Sequence, residues 1–189
     1  MGENYSYVLL VEGSNKKKLW EYLQEKGTWS RALNSNCLVL PFELDKPITT
    51  YIKNRIREER RFYQWGAIAL TEQNYPAYIT DGKGRIGCLY VDSYKSKTNK
   101  GHFITFMAAT TEMSRLLQAS SSIRKWFIVS SSVVGAVACF LDLEEQGYQL
   151  LYPEEGEIIA EDALMKGEGF AYQLLQDYIR VVYGEEYLE

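Results

Sequence analysis

Few side chains here are able to do chemistry. His102 is the only histidine, which excludes any reaction or metal site needing two. Cys37, Cys88 and Cys139 are an odd number without CxxC spacing. Neither a disulfide framework nor a structural zinc site is expected, and this cysteine usage points to the cytoplasm. His102 and Cys139 would form a nucleophile–base pair in principle, since an imidazole can draw the proton from a thiol. No third residue marks itself as the orienting group, and Cys139 lies in the apolar run VVGAVACFL, where a cysteine acts as a small inert hydrophobe. Ser130, Ser131 and Ser132 ahead of Gly135 would cradle an anion if a helix began there. No phosphate-loop lysine follows them, and a plain helix cap is the simpler reading. Asp81-Gly82-Lys83-Gly84 reads as a turn. No catalytic residue, metal ligand or cofactor site is expected.

The other chemistry-bearing class is cationic. Lys16, Lys17 and Lys18 open one helix; Lys53, Arg55, Arg57, Arg60 and Arg61 lie in a second; Lys83, Arg85, Lys95, Lys97 and Lys100 punctuate a turn-rich stretch. On the second helix Lys53, Arg57, Arg60 and Arg61 fall near one face, away from Ile52 and Ile56. These four are the candidate nucleic-acid-binding residues. Tyr51, Tyr63, Tyr90 and Tyr94 interleave the cations, as surfaces for base stacking would. Against this, Glu58 and Glu59 sit beside the arginines and would pair locally. The chain's net charge of −4 hides an asymmetry. Residues 1–141 hold nineteen Lys and Arg against twelve Asp and Glu, a surplus of seven positive charges; residues 142–189 hold two against thirteen, a surplus of eleven negative. Such an imbalance suggests polar partner surfaces.

These residues need elements to place them. Residues 5–11 (YSYVLLV) read as a buried strand, and a helix follows to about Lys26, with Ser14 or Asn15 as cap and Gly27 as stop. Residues 37–42 form a second strand with Pro41 near its end. Pro47 suits the start of a helix that continues to about Tyr63. Residues 67–71, 77–80, 86–91 and 102–107 read as short strands, with a hairpin turn at 81–84. Residues 110–118 read as a helix and 125–129 (KWFIV) as a strand. Residues 130–143 fit either a helix capped by Ser132 or a buried strand, because periodicity alone does not separate the two. A strand at 148–152 and a helix at 170–183 complete the chain. This is an α+β fold, mostly antiparallel in the central sheet, with helices in the N-terminal part and at the C-terminus. Its 189 residues form a single domain, basic over 1–141 and acidic over 142–189. No run of 18 apolar residues predicts a membrane span, and the N-terminus lacks a signal-peptide pattern.

Two resemblances bear on function. VLLVEG at residues 8–13, followed by a helix, resembles the opening of Toprim-type nuclease and primase domains, which implies that Glu12 helps to hold magnesium. That family also needs an Asp-x-Asp pair at a later strand end. The nearest candidates, Glu72-Gln73-Asn74 and Asp92-Ser93-Tyr94, supply no such pair. GAIALTEQNYPAYITDG at residues 66–82 and SSIRKWFI at 121–128 resemble a small accessory protein of CRISPR type III-D effector complexes. That resemblance implies a non-catalytic subunit packed among larger CRISPR proteins near guide or target RNA. The leading expectation is thus a non-enzymatic, cytoplasmic subunit of a protein or nucleoprotein assembly. Its partners would be larger protein subunits, with RNA as a further contact and no membrane. The alternatives are a degenerate Toprim-like magnesium-dependent nuclease, or a small immunity or anti-defence regulator with one protein target.

Overall fold

A computed structural model describes residues 3–30, 37–64, 78–164 and 166–188. Its centre is β1 (Ser6–Glu12), which is buried on both faces except at Glu12. Tyr7, Leu9 and Val11 point to one side, Val8 and Leu10 to the other, the two-residue period of a strand. A strand apolar on both faces needs neighbours on both edges and layers above and below. It pairs antiparallel with β6 (Gly101–Ala108) and with β7 (Ala138–Asp142).

The whole sheet is antiparallel, in the order β2-β3-β5-β6-β1-β7-β8-β9, with β4 added on β5. The remaining strands are β2 (Thr28–Ser30), β3 (Cys37–Glu43), β4 (Ile79–Thr80), β5 (Lys83–Lys95), β8 (Tyr148–Tyr152) and β9 (Ile158–Ile159). Helices α1 (Gly13–Lys26), α2 (Lys46–Gln64), α3 (Thr111–Ala119) and α4 (Ser121–Val134) cover one face, and α5 (Phe170–Val182) packs on the other. The class is α+β, and the sheet lies between two helical layers. The turn at Asp81–Gly82 is present with both residues at positive φ, 53° and 73°, the geometry of a tight hairpin. Of the strands expected at 67–71 and 77–80, residues 67–77 lie outside the described residues.

The fold corrects four local readings. The KWFIV segment is helical, not a strand. The Ser120 hydroxyl accepts the Ile123 N–H at 3.1 Å, which starts α4, and Gly135 at φ 70° ends it. Ile123, Phe127 and Val134 are its buried face. Residues 130–143 are neither all helix nor all strand: α4 stops at Val134, a turn follows, and β7 begins at Ala138. Neither Ser14 nor Asn15 caps α1, which starts at Gly13 with Glu12 in the cap position and no side-chain cap. Asn15 instead donates to the Gly135 carbonyl at 3.0 Å, tying the start of α1 to the end of α4. Finally, Cys37 and Cys88 are bonded across β3 and β5, with Cα atoms 5.2 Å apart, within the disulfide range. An odd cysteine count says nothing about which two meet on paired strands. The bridge removes cysteine usage as an argument for a reducing compartment. Among the described residues no helix is long and apolar enough to cross a membrane.

Candidate nucleic-acid interface

Helix α2 is anchored by Ile48 and Ile52, both buried, with Ile56 packed beside them. Lys53 and Arg57 are exposed, one turn apart, to one side of that buried stripe. The side chains of Arg60 and Arg61 lie outside the described residues, as does that of Glu59. Arg55 forms an ion pair with Glu58 at 3.2 Å. The exposed face is therefore cationic at Lys53 and Arg57.

A denser cationic surface forms where β1 ends. Glu12 pairs with Gly101, and the Gly13 N–H, the first of α1, donates to the Lys100 carbonyl at 3.1 Å. The β5–β6 hairpin is thereby stitched to the helix start. The strands approach so closely that a side chain at position 101 would meet the Val11 carbonyl at 2.7 Å, so this position demands glycine. The result brings Lys100 to the start of α1, and the charges of Lys16 on the helix and Lys95 on the hairpin both bear on His102; Lys17 and Lys18 continue the helix and Lys97 the hairpin. Lys17 pairs with Glu21 at 3.6 Å and Lys97 with Glu185 at 2.7 Å. Among the described residues no carboxylate forms an ion pair with Lys16, Lys18, Lys95 or Lys100. The N-terminus of α1 adds the positive end of a helix dipole. His102, opposite both Val11 and Lys95, registers this field. Its pKa is held below the usual histidine value, first by burial and then by the charges of Lys16 and Lys95.

The hairpin itself is fixed from the far side of the sheet. Asp177 of α5 is fully buried. It accepts from the Ser96 hydroxyl at 2.5 Å, the Thr98 hydroxyl at 2.9 Å and the Lys97 N–H at 3.1 Å. Ser96 Oγ in turn accepts the Asn99 N–H at 2.7 Å.

Sequence reasoning found both lysine groups but not their union, because residues some eighty positions apart become neighbours only through strand order. The turn-rich group is itself divided by β5, which leaves Lys83 and Arg85 apart from Lys95, Lys97 and Lys100. Lys83 pairs with Glu43 at 3.2 Å and Arg85 donates to Thr28 Oγ1 at 2.7 Å, both at the opposite end of β5. Of the tyrosines, Tyr51 packs against the core under the helices, Tyr94 packs against the cluster under α5, Tyr90 is half-buried, and the side chain of Tyr63 lies outside the described residues.

The remaining candidates take structural places. Glu12 is exposed at the strand end, and its register partner is glycine. Asp92 pairs with Thr105, which pairs with Val8, four residues along the sheet from Glu12, and residues 72–74 lie outside the described residues. The described residues hold no group of three or more His, Cys, Asp or Glu placed to bind a metal. Cys139 and His102 lie on opposite sides of β1, opposite Leu9 and Val11 respectively. That is roughly 10 Å or more apart by strand spacing, beyond the reach of proton transfer. Burial pushes the Cys139 thiol up to about 12. Ser130, Ser131 and Ser132 sit in the last turn of α4 rather than ahead of a helix, and Ser131 donates to the Phe127 carbonyl at 2.7 Å. The anion-cradle reading is overturned, since a helix C-terminus presents carbonyls. Compared with known protein families, with curated proteins and with solved structures, the chain matches none of them.

Proposed function

We propose that this protein is a non-catalytic subunit of a nucleoprotein assembly that grips the backbone of single-stranded RNA with the lysines around the β1–α1 junction. One observation carries the reading. Lys16 of α1 and Lys95 and Lys100 of the hairpin, distant in sequence, come together at a helix start, and among the described residues no carboxylate forms an ion pair with any of the three. Backbone binding needs this: mobile ammonium groups close enough to displace counterions, and no base-specific geometry. The exposed Lys53 and Arg57 on α2 offer a second, separate pair of cations, since α2 packs at the Gly84 end of β5. The resemblance to type III-D accessory proteins agrees with this role, which belongs in the cytoplasm beside larger protein subunits. The acidic C-terminal part, with exposed Ile158, Phe170 and Tyr187, suits contact with such protein neighbours.

The test is RNA binding by the full chain at two salt concentrations. Lys16→Glu with Lys100→Glu should weaken binding at least roughly tenfold and flatten the log–log salt slope by about 1.4, two single-strand phosphate contacts. Lys53→Glu with Arg57→Glu should have a smaller effect in the same direction. Wild-type affinity in the Lys16/Lys100 variant would refute the proposal.

A further inference from the structure

The C-terminal part meets the lysine hairpin through two carboxylates in opposite circumstances, Asp177 of α5 and Glu185 beyond the helix end. Glu185 is exposed and holds the Lys97 ammonium. Asp177 is buried and touches no ammonium; it holds the hairpin's backbone and hydroxyls. We infer that Asp177 is a positioning residue for RNA binding: it fixes the β5–β6 turn so that Lys95 and Lys100 stand ready at the start of α1, with Lys97 at the hairpin tip. This rests on the RNA reading given above.

The geometry carries the argument. A helix that only packed on the sheet would fill this position with an apolar side chain, as its buried neighbours Leu174, Leu175 and Ile179 do. A buried carboxylate is costly unless its oxygens are satisfied, and all three donors here come from consecutive residues of one turn. Oδ2 takes both hydroxyls and Oδ1 takes the Lys97 N–H. A tight turn carrying three long cationic side chains would otherwise pay its ordering entropy when the ligand arrives; a turn already fixed does not. Electrostatics alone points the other way, because a carboxylate beneath lysines opposes a polyanion. The sign of the effect therefore separates positioning from charge.

The experiment measures binding of a labelled oligouridylate to the full chain at two salt concentrations. Asp177→Ala should weaken binding roughly tenfold although it removes a negative charge. Glu185→Gln should tighten binding and steepen the salt slope by about 0.7, since Lys97 is released to a phosphate. Ser96→Ala with Thr98→Ala leaves every charge in place and should weaken binding as Asp177→Ala does; it decides the matter if Asp177→Ala does not fold. Asp177→Asn keeps an acceptor for the Lys97 N–H and offers amide hydrogens to the two hydroxyls, so it should recover most of the affinity. Wild-type or tighter binding by the Ser96/Thr98 variant overturns the inference and leaves the RNA reading standing. Absence of salt-dependent binding by the wild type overturns both.

Discussion

Asp45 shows how much one side chain can hold. Its Oδ1 accepts the Ile48 N–H at 2.9 Å, capping α2. Its Oδ2 accepts the Ser120 hydroxyl at 2.7 Å and the Ser122 N–H at 3.1 Å, so the same carboxylate also closes the first turn of α4. Burial alone would raise its pKa, but the hydrogen bonds from Ile48, Ser120 and Ser122 outweigh it and the pKa is lowered. A depressed carboxyl contributes stability above its unfolded pKa, about 3.9, and that contribution is lost as pH falls through the folded value. Asp45→Ala should cost about 1–3 kcal/mol at neutral pH, the loss of two caps. Asp45→Asn should cost less and lack the acid-side fall. Urea midpoints measured from neutral pH down to about pH 3 check both statements; equal pH dependence in the Asp45→Asn variant and the wild-type protein would contradict the shared-cap account. Nothing in the sequence analysis singled out Asp45, two residues before Pro47. Its second role needed the α3–α4 junction, seventy-five positions away, to come alongside.

At the scale of elements, α5 is held by a second buried acid. Asp142, at the end of β7, accepts the Tyr178 and Tyr183 hydroxyls at 2.9 Å each and the Glu144 N–H at 2.8 Å. Burial raises its pKa despite these donors. A carboxyl raised in the fold contributes stability that is complete below the unfolded pKa and is lost as pH rises through the folded value. Asp142→Ala should cost about 2–4 kcal/mol by leaving phenol hydroxyls unpaired. Asp142→Asn should cost less and remove that falling limb, as calorimetry at several pH values would register. The helix was legible in advance: Leu174, Leu175 and Tyr178 recur at helical spacing, and Gly184 follows. Its docking acid was not, because nothing local distinguishes Asp142 from a surface aspartate. The strand reading of KWFIV fails for another reason. A short run dominated by apolar and aromatic residues satisfies a strand as well as a helix when its flanks are left out. Ser120 three residues before Ile123, the spacing Ile123–Phe127–Val134, and Gly135 at the end mark a helix once taken together. The antiparallel pairing of β1, β5 and β6 was legible in class, since apolar runs alternate with turn chemistry. Strand order was not, and it is strand order that assembles the lysines.

For the molecule as a whole, the sheet is the least accessible layer, with helices on both faces of β1 and β7. Cys139 lies there fully buried, with its thiol near pKa 12, so it is neither ionised nor reachable in the folded state. Its reaction with a thiol reagent should proceed at the rate of global unfolding and rise with denaturant along the unfolding limb; rapid native-state labelling would show that the β7 region opens on its own. The arrangement also sets an order in time. The innermost strand, β1, is made ahead of every other strand of the sheet, yet its two neighbours begin only at Gly101 and Ala138. At about 5–20 residues per second, its YVLLV segment leaves the ribosome roughly 7–26 s before its second edge, β7 (Ala138–Asp142), can close. Until β6 emerges this apolar strand has no native partner on either side, and until β7 follows it keeps one open edge. Synthesis thus makes a binding site for a chaperone out of what later becomes the inside of the sheet.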